Sequence, residues 1–292
     1  MSSFTVIVPN LHTPSVGETV RALERLAYDR THFQVIVVGM DKFGLVQESD
    51  VVYFDRSERP LSPAQARNRG TRQARGEVLA FTDADCQPHP DWLAVLAERF
   101  SDPAVTVVGG GVEFGTRNYW TLADNLSMFY EYLAIHAPGE RRQLPSLNLA
   151  IRRGVFEEIG GFDERYPRPA GEDADLTIRL RKRGRHLYFE PRAVVTHHPP
   201  RNRLADLLRH GYYQGMYSTK VDARYAAEEG LPGVARTRPG LVLFAPLLAA
   251  AVTLRMFSAY PNLRQYWYTS PAIYLAKLVW CLGAANHPTW EM

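Results

Sequence analysis

The sequence predicts an α/β fold: an open, mostly parallel sheet flanked by helices and followed by a helical C-terminal extension. Short apolar segments alternate with segments of helical periodicity between residues 4 and 196, a pattern typical of a parallel sheet covered on both faces. Hydrophobic residues make up 46% of the 292-residue chain and charged residues 22%, which excludes long disorder. Beyond residue 203 the chain changes to basic, aromatic and apolar stretches of helical character.

The predicted strands are short apolar runs, and several predicted helices have identifiable ends. Strands are predicted at residues 4–8, 34–38, 51–54, 77–82, 105–108, 186–189 and 193–196. Helices are predicted at residues 17–28, 62–74, 91–100, 152–159, 173–183 and 204–217, and helical spacing also runs through 118–136. Ser62 supplies a cap and Pro63 a first turn for one helix, and Gly184 ends another. Because ligands bind beyond the carboxyl ends of strands in open sheets, residues that follow a strand are candidate site residues.

Charge and cysteine content narrow the class of function. The net charge of +3 is small, so a general nucleic-acid-binding role has no electrostatic support. Cys86 and Cys281 are far apart and lack metal-ligand spacing, which favours a reducing, cytoplasmic setting. The first predicted strand begins at Phe4 with no basic segment or cleavage site before it, so secretion is not expected.

Two carboxylates and a histidine follow predicted strands. Asp83 and Asp85 come directly after the strand 77–82 and are separated by one residue, so both can reach one hard cation. His197 follows the strand 193–196, and a mixed set of oxygen and nitrogen ligands suits manganese better than calcium. Taken singly, each feature also fits an ordinary loop or a structural histidine.

An acidic cluster opens the predicted helix 173–183. Glu172, Asp173 and Asp175 either offset the helix macrodipole or include a carboxylate that serves as a general base. On the predicted helix 62–74, Arg67 either contacts a phosphate or a nucleoside or lies on a solvated face.

The order and spacing of these features are more specific than any one of them, and together they resemble the inverting, GT-A-fold glycosyltransferases of family 2. The matching segments are residues 6–9, 33–38, 62–70, 76–85, 148–153, 160–164, 171–176 and 195–197. The resemblance implies a GT-A, Rossmann-like sheet in a catalytic domain over residues 1–202, with a helical, partly apolar extension over 203–292.

The resemblance also implies a role for each matching residue. Asp83, Asp85 and His197 would hold a divalent cation, Mn²⁺ or Mg²⁺, on the diphosphate of a nucleotide sugar. Asp173 would be the catalytic base, with Glu172 beside it. The residues implied for the donor nucleotide are Pro9, Asn10, Gly39, Asp41, Arg67, Asp83 and Ala84, and those implied for the donor sugar or acceptor are Gly110, Gly111, Asn148 and Asp175. The implied reaction moves a hexose, UDP-linked in many members, onto a hydroxyl of a glycan or lipid-linked glycan.

One segment departs from the family pattern. Members commonly carry a paired acidic motif after the second strand, and one of its carboxylates reads the base. Here that place is occupied by Gly39, Met40 and Asp41, so the acidic residue lies at least one position later. The nucleoside preference therefore stays open, with Asp41 as the candidate to contact the base.

Two other functions remain as alternatives. A sugar nucleotidylyltransferase would use a similar sheet and acidic metal ligands, but it needs a glycine-rich basic loop after the first strand, where this chain has residues 9–14, PNLHTP. A non-catalytic sugar-binding or membrane-scaffold protein would have no need of the base Asp173 beside the metal ligands.

The extension contains two apolar stretches, residues 241–252 and 272–285. The first is about 18 Å long as a helix, against a hydrocarbon core of about 30 Å, so it is not expected to span a membrane. A peripheral contact with a membrane and a homodimer interface are the two expectations for these stretches.

Overall fold

The computed structural model describes residues 2–220, 222–225 and 232–287, and the chain forms two compact units. The first unit contains residues 1–115 and 132–199, and the second contains residues 116–131 and 200–292. The second unit therefore combines an internal segment with the C-terminal part of the chain. All the residues that the sequence predicts for the site lie in the first unit.

The first unit is built on one nine-stranded mixed sheet. Its strands are β1 (Phe4–Leu11), β2 (Phe33–Met40), β3 (Val52–Arg56), β4 (Val78–Thr82), β5 (Cys86–Pro88), β6 (Val107–Phe114), β7 (Gly139–Glu140), β8 (Asn148–Arg152) and β9 (Tyr188–His197). The order is β3-β2-β1-β4-β8-β6-β9-β5, with β7 paired to β9. The predicted sheet flanked by helices is confirmed, and it is mixed because β8 runs antiparallel between β4 and β6.

Parallel and antiparallel pairing divide the sheet into two halves. Strands β1 to β4 pair in parallel through three neighbouring pairs and form the half that the alternating sequence pattern predicts. In the other half only β6 and β9 pair in parallel. The segments 186–189 and 193–196, predicted as separate strands, form the single strand β9, whose register with β6 shifts between Gly110 and Gly111.

The described residues of the first unit form five α-helices: α1 (Val16–Glu24), α2 (Pro63–Thr71), α3 (Trp92–Phe100), α5 (Arg153–Ile159) and α6 (Glu172–Lys182). The predicted cap of α2 is confirmed, because the Ser62 hydroxyl accepts from the backbone N–H of Gln65 and the Gln65 side chain accepts from the backbone N–H of Ser62. The predicted end of α6 is confirmed as well, since Gly184 has a φ of +73°, which favours glycine.

The second unit is helical where it is described. Its helices are α4 (Tyr119–Phe129), α7 (Leu204–Met216), α8 (Arg238–Leu243), α9 (Ala245–Ala259) and α10 (Ser270–Ala284). Helices α7 and α10 pack with their backbones close together: a Cβ on Gly215 would lie 1.9 Å from the Trp280 carbonyl oxygen, and one on Gly283 would lie 1.9 Å from that of Tyr212. Among the described residues, no helix combines the length and the apolar character needed to cross a bilayer.

Candidate active site

The turn between β4 and β5 brings the first carboxylates to the candidate site. The backbone N–H of Cys86 donates to the Asp83 carbonyl, which closes the turn that carries Asp83 and Asp85. Strand β5 then pairs antiparallel with β9, with Cys86 opposite His197. This register brings His197 to Asp85, and the distance from its Nε2 to Asp85 Oδ1 is 3.6 Å. A histidine 112 positions later in the chain thus meets the acidic turn because the two short strands pair.

Arg67 connects that turn to the acidic start of α6. Its guanidinium is almost fully buried, with 3% of the side chain exposed. Nη2 donates to Asp83 Oδ1 at 2.7 Å, and Nη1 donates to Glu172 Oε1 at 2.9 Å. Both bonds are charge-assisted, which makes them among the stronger hydrogen bonds that a protein forms; the bond to Glu172 is buried and the bond to Asp83 is partly buried. The two acidic motifs lie far apart in the sequence, and both bind the guanidinium of Arg67.

Asp173 lies in the first turn of α6, directly after Gly171 and Glu172. Its carboxylate accepts from two backbone N–H groups, Oδ2 from Ser146 at 3.2 Å and Oδ1 from Ala174 at 2.8 Å. The hydrogen bonds hold the side chain in one orientation. Gly171 has a φ of +89°, so the chain enters the helix through a conformation that favours glycine.

Burial shifts the ionisation of both carboxylates at the start of α6. Loss of solvent raises the pKa of Asp173 above its ordinary value, although the Ser146 and Ala174 hydrogen bonds and the Arg67 charge oppose the shift. Burial, together with the adjacent charge of Asp173, raises the pKa of Glu172 to about 7. A carboxylate with a raised pKa accepts a proton more readily near neutral pH, which is the property of a general base.

The residues beside the acidic turn fit a divalent cation. Within the described part of the chain, Asp85, Cys86 and His197 form a group whose potential ligand atoms all lie within 4.8 Å of one another. Burial and the charge of Asp85 raise the pKa of the Cys86 thiol well above its usual value, and a protonated thiol is a poor ligand for a hard cation. A carboxylate and an imidazole remain, and this mixed oxygen and nitrogen donor set suits Mn²⁺. Asp83 lies outside the group, with one carboxylate oxygen bound by Arg67.

The ends of β1 and β2 hold the residues predicted for the nucleoside. Asn10 and Gly39 are register partners, and the Asn10 amide donates to the Met40 carbonyl at 3.0 Å. Gly39 has a φ of +133°, and a Cβ there would lie 2.0 Å from the Asn10 carbonyl oxygen, so the position requires glycine. Asp41 accepts from the backbone N–H groups of Phe43 and Val46 and thereby orders the loop after β2. Pro9 is half-buried in β1.

Ala84, the remaining residue predicted for the nucleotide, joins the acidic turn to α1. The Ala84 carbonyl accepts from the hydroxyl of Thr19 at 2.9 Å and from that of Ser15 at 3.4 Å. The turn between β4 and β5 is therefore held from two sides, by α1 at Ala84 and by α2 at Asp83.

The four residues predicted for the donor sugar or acceptor have internal partners that account for their identities. Gly110 and Gly111 lie inside β6 rather than after a strand, and Cβ atoms there would lie 2.1 and 2.3 Å from carbonyl oxygens of β9. Asn148 is buried; it accepts from the Trp92 indole and donates to two backbone carbonyls. Asp175 is buried in an ion pair with Arg179.

Three features of the site were not predicted from the sequence: the Cys86 thiol beside the candidate ligands, the Ser146 contact and the double ion pair of Arg67. Cys86 follows Asp85 directly, so its position was available from the sequence. The contact between the Ser146 amide and Asp173 had no signal in the sequence, because it joins residues 27 positions apart through a loop.

A family model described as "Glycosyltransferase like family 2" matches residues 2–210. The glycosyltransferase AglE of Haloferax volcanii is 27% identical over 226 residues, which cover 74% of this chain and 73% of that protein. The pre-mycofactocin glycosyltransferase of Mycobacterium tuberculosis is 30% identical over 224 residues, which cover 72% of this chain but only 46% of that protein. This chain thus spans about half the length of the mycobacterial relative.

Solved structures of other proteins have the same fold as this chain. A mannosyltransferase of Pyrobaculum calidifontis, PcManGT, in complex with GDP-Man and Mn²⁺, aligns with a TM-score of 0.61 at 19% identity and covers 94% of this chain and 86% of that one. TarS of S. aureus in complex with UDP-GlcNAc aligns with a TM-score of 0.50 at 16% identity, covering 95% of this chain and 89% of that one. Since the family model matches more than half of the chain, this protein belongs to glycosyltransferase family 2 and is a glycosyltransferase of the GT-A fold.

Proposed function

We propose that this glycosyltransferase transfers a hexose from a UDP-linked donor to a hydroxyl of a glycan or lipid-linked glycan, with inversion at the anomeric carbon and with the help of Mn²⁺ or Mg²⁺. The observation that carries the proposal is the contact of Arg67 with both Asp83 and Glu172. It joins the turn that holds the cation ligands to the helix start that holds the base.

The cation would be held by Asp85 and His197, with Asp83 at the same turn. When bound, it would supply positive charge that offsets the negative charge growing on the leaving diphosphate. Asp83 would contribute through the carboxylate oxygen that Arg67 does not bind. Arg67 would keep this carboxylate in place, so it would have a positioning role as well as the nucleotide contact that the family resemblance implies.

Asp173 would act as the general base. As the acceptor oxygen forms its bond to the anomeric carbon, the bond from that carbon to the diphosphate breaks and the hydroxyl proton passes to the Asp173 carboxylate. The Ser146 and Ala174 N–H groups orient the carboxylate before the acceptor arrives, so less reorganisation is needed at the moment of transfer. One displacement of this kind inverts the configuration of the carbon.

The nucleoside would lie at the ends of β1 and β2. Gly39 and Asn10 bring the two strand ends close together there, and Asp41 is held by the loop that follows. The donor in the PcManGT complex is GDP-Man and that in the TarS complex is UDP-GlcNAc, so both nucleosides occur among proteins of this fold. We propose uridine for this chain because UDP-linked donors are common in the family that the sequence resembles.

A donor panel tests the proposal. The full chain is incubated with UDP- and GDP-linked hexoses, with Mn²⁺ or with a chelator, and the released nucleoside diphosphate is measured. We expect UDP release that needs the cation and increases when an acceptor glycan is added. Pyrophosphate release from a nucleoside triphosphate would instead identify a nucleotidylyltransferase, and absence of turnover with every donor would identify a binding protein.

A further inference from the structure

Helix α9 in the second unit has one buried side and one exposed apolar side. Ala249, Thr253 and Met256 lie on the buried side. On the opposite side, Leu247 and Leu254 are 67% and 55% exposed. The helix has 15 residues and is therefore about 22 Å long, so its exposed leucines are spread over a substantial surface.

The exposed apolar residues share one side because of their spacing. Leu247, Ala251 and Leu254 are separated by four and three positions, which places them in a single row along a helix. Leu243, the last residue of α8, lies four positions before Leu247 and is 73% exposed. We call Leu243, Leu247, Ala251 and Leu254 the α9 apolar face. A row of exposed apolar residues along a helix is typical of a surface that contacts a membrane or another protein.

The charged residues of the segment that carries this face have one sign. Residues 232–287 contain no Asp or Glu, and their charged residues are Arg236, Arg238, Arg255, Arg264 and Lys277. All four arginines are exposed. Arg255 directly follows Leu254 and lies one turn after Ala251, so at least one of these charges borders the α9 apolar face.

We propose that the α9 apolar face docks on an anionic lipid bilayer. The leucines would enter the boundary between headgroups and acyl chains, and the arginines would contact the lipid phosphates, as in other helices that lie in the membrane surface. The inference rests on the second unit alone and does not depend on the donor, acceptor or base proposed above.

A second copy of the chain fits this face less well. In a two-fold dimer the same surface meets itself, so the arginines of both copies would approach each other. The segment 232–287 itself contributes no acidic residue that could offset that repulsion. An anionic bilayer supplies both the apolar phase for the leucines and the negative charge for the arginines.

The test is co-flotation of the full chain with vesicles of phosphatidylcholine alone or of phosphatidylcholine with phosphatidylserine. Wild type should float with the anionic vesicles, less so as salt is raised. Leu254→Glu and Leu247→Glu should each weaken binding about tenfold, since each removes the burial of a leucine side chain. Arg255→Gln should weaken it about fivefold, the contribution of one arginine near an anionic surface.

Ile135→Glu is the matched control, because Ile135 is 53% exposed but lies in the first unit. It should float like wild type. Flotation of Leu254→Glu at the wild-type level, or equal flotation on both vesicle types, would overturn the proposal. So would a wild-type dimer that Leu254→Glu converts to a monomer without any flotation of wild type. Hydrolysis of the nucleotide sugar in the absence of vesicles is measured in parallel, so that failure of docking and failure of the proposed activity are told apart.

Discussion

Arg67 and Glu172, 105 positions apart in the sequence, form a buried ion pair with a distance of 2.9 Å. The same guanidinium binds Asp83 at 2.7 Å. Helix α2, the turn after β4 and the start of α6 are thereby held in one arrangement. Glu172 is 3% exposed, so its charge has little water around it and depends on Arg67 for stabilisation.

Arg67→Met is expected to lower the free energy of unfolding by about 3–5 kcal/mol, because it leaves the buried Glu172 carboxylate without its cation. Adding Glu172→Gln should restore part of that loss, since the second change removes the unpaired charge. Urea denaturation of the wild type, both single variants and the double variant measures the coupling. Strict additivity of the two changes would show that the ion pair contributes nothing to stability.

Asp173→Asn is expected to lower kcat by about 10²–10⁴-fold, the usual contribution of a general base. The affinity for UDP should stay within about twofold of wild type, because the proton transfer is not part of nucleotide binding. Turnover and calorimetric titration with UDP provide the two measurements. The exposed Glu157→Gln on α5 is the control and should leave both unchanged. Near-normal turnover of Asp173→Asn would remove Asp173 as the base.

Asp85→Asn and His197→Ala are each expected to weaken Mn²⁺ binding at least about tenfold, because each removes a proposed ligand. Electron paramagnetic resonance of free Mn²⁺ measures this directly, without turnover. Cys86→Ser is the control: it lies in the same group, but burial keeps its thiol protonated, so the affinity should hardly change. If Cys86→Ser caused the largest loss, the ligand set would have to include a thiolate.

As the pH is lowered, kcat/KM should start to fall at a pH that is unusually high for an aspartate base. The base must be ionised, and burial raises the pKa of Asp173 above the ordinary aspartate value of 3.8, so activity is lost as the pH falls through that raised pKa. Burial and the adjacent charge of Asp173 raise the pKa of Glu172 to about 7, so Glu172 also titrates on the acid side of the profile. Glu172→Gln should therefore remove the contribution near pH 7 and leave the loss of activity that belongs to Asp173. Wild-type activity that stays constant down to pH 4 would contradict the prediction.

Lys277→Met is expected to raise the free energy of unfolding at pH 7 by about 2 kcal/mol. Burial lowers the pKa of Lys277 from 10.5 to about 8, so the charged form is penalised in the folded state and stability rises as the pH increases from 8 to 10.5. The gain is reduced by about 1 kcal/mol for the lost hydrogen bond to the Ser127 carbonyl. Denaturation at pH 7 and near pH 10.5 measures the difference in free energy of unfolding between Lys277→Met and wild type. This difference should be smaller at the higher pH, and an equal difference at both pH values would contradict the prediction.

The elements with a strong local signal were predictable. Helix α2 begins after Ser62, and Gly184 ends α6, because capping depends on residues within one turn of the helix end. The parallel half of the sheet follows from alternating strands and helices. Strand β8 was missed as a strand, and its antiparallel position between β4 and β6 leaves no mark in a local pattern.

By itself the sequence determined the family, the chemistry available at Asp83, Asp85, Asp173 and His197, and the order in which these residues occur. Only the tertiary structure decided which of them share partners. Arg67 binds Asp83 and Glu172, and the pairing of β5 with β9 carries His197 to Asp85. The physical reason is that side-chain types and caps are properties of neighbouring residues, whereas ion pairs across a fold depend on strand register and burial. Those are set by packing of the whole unit.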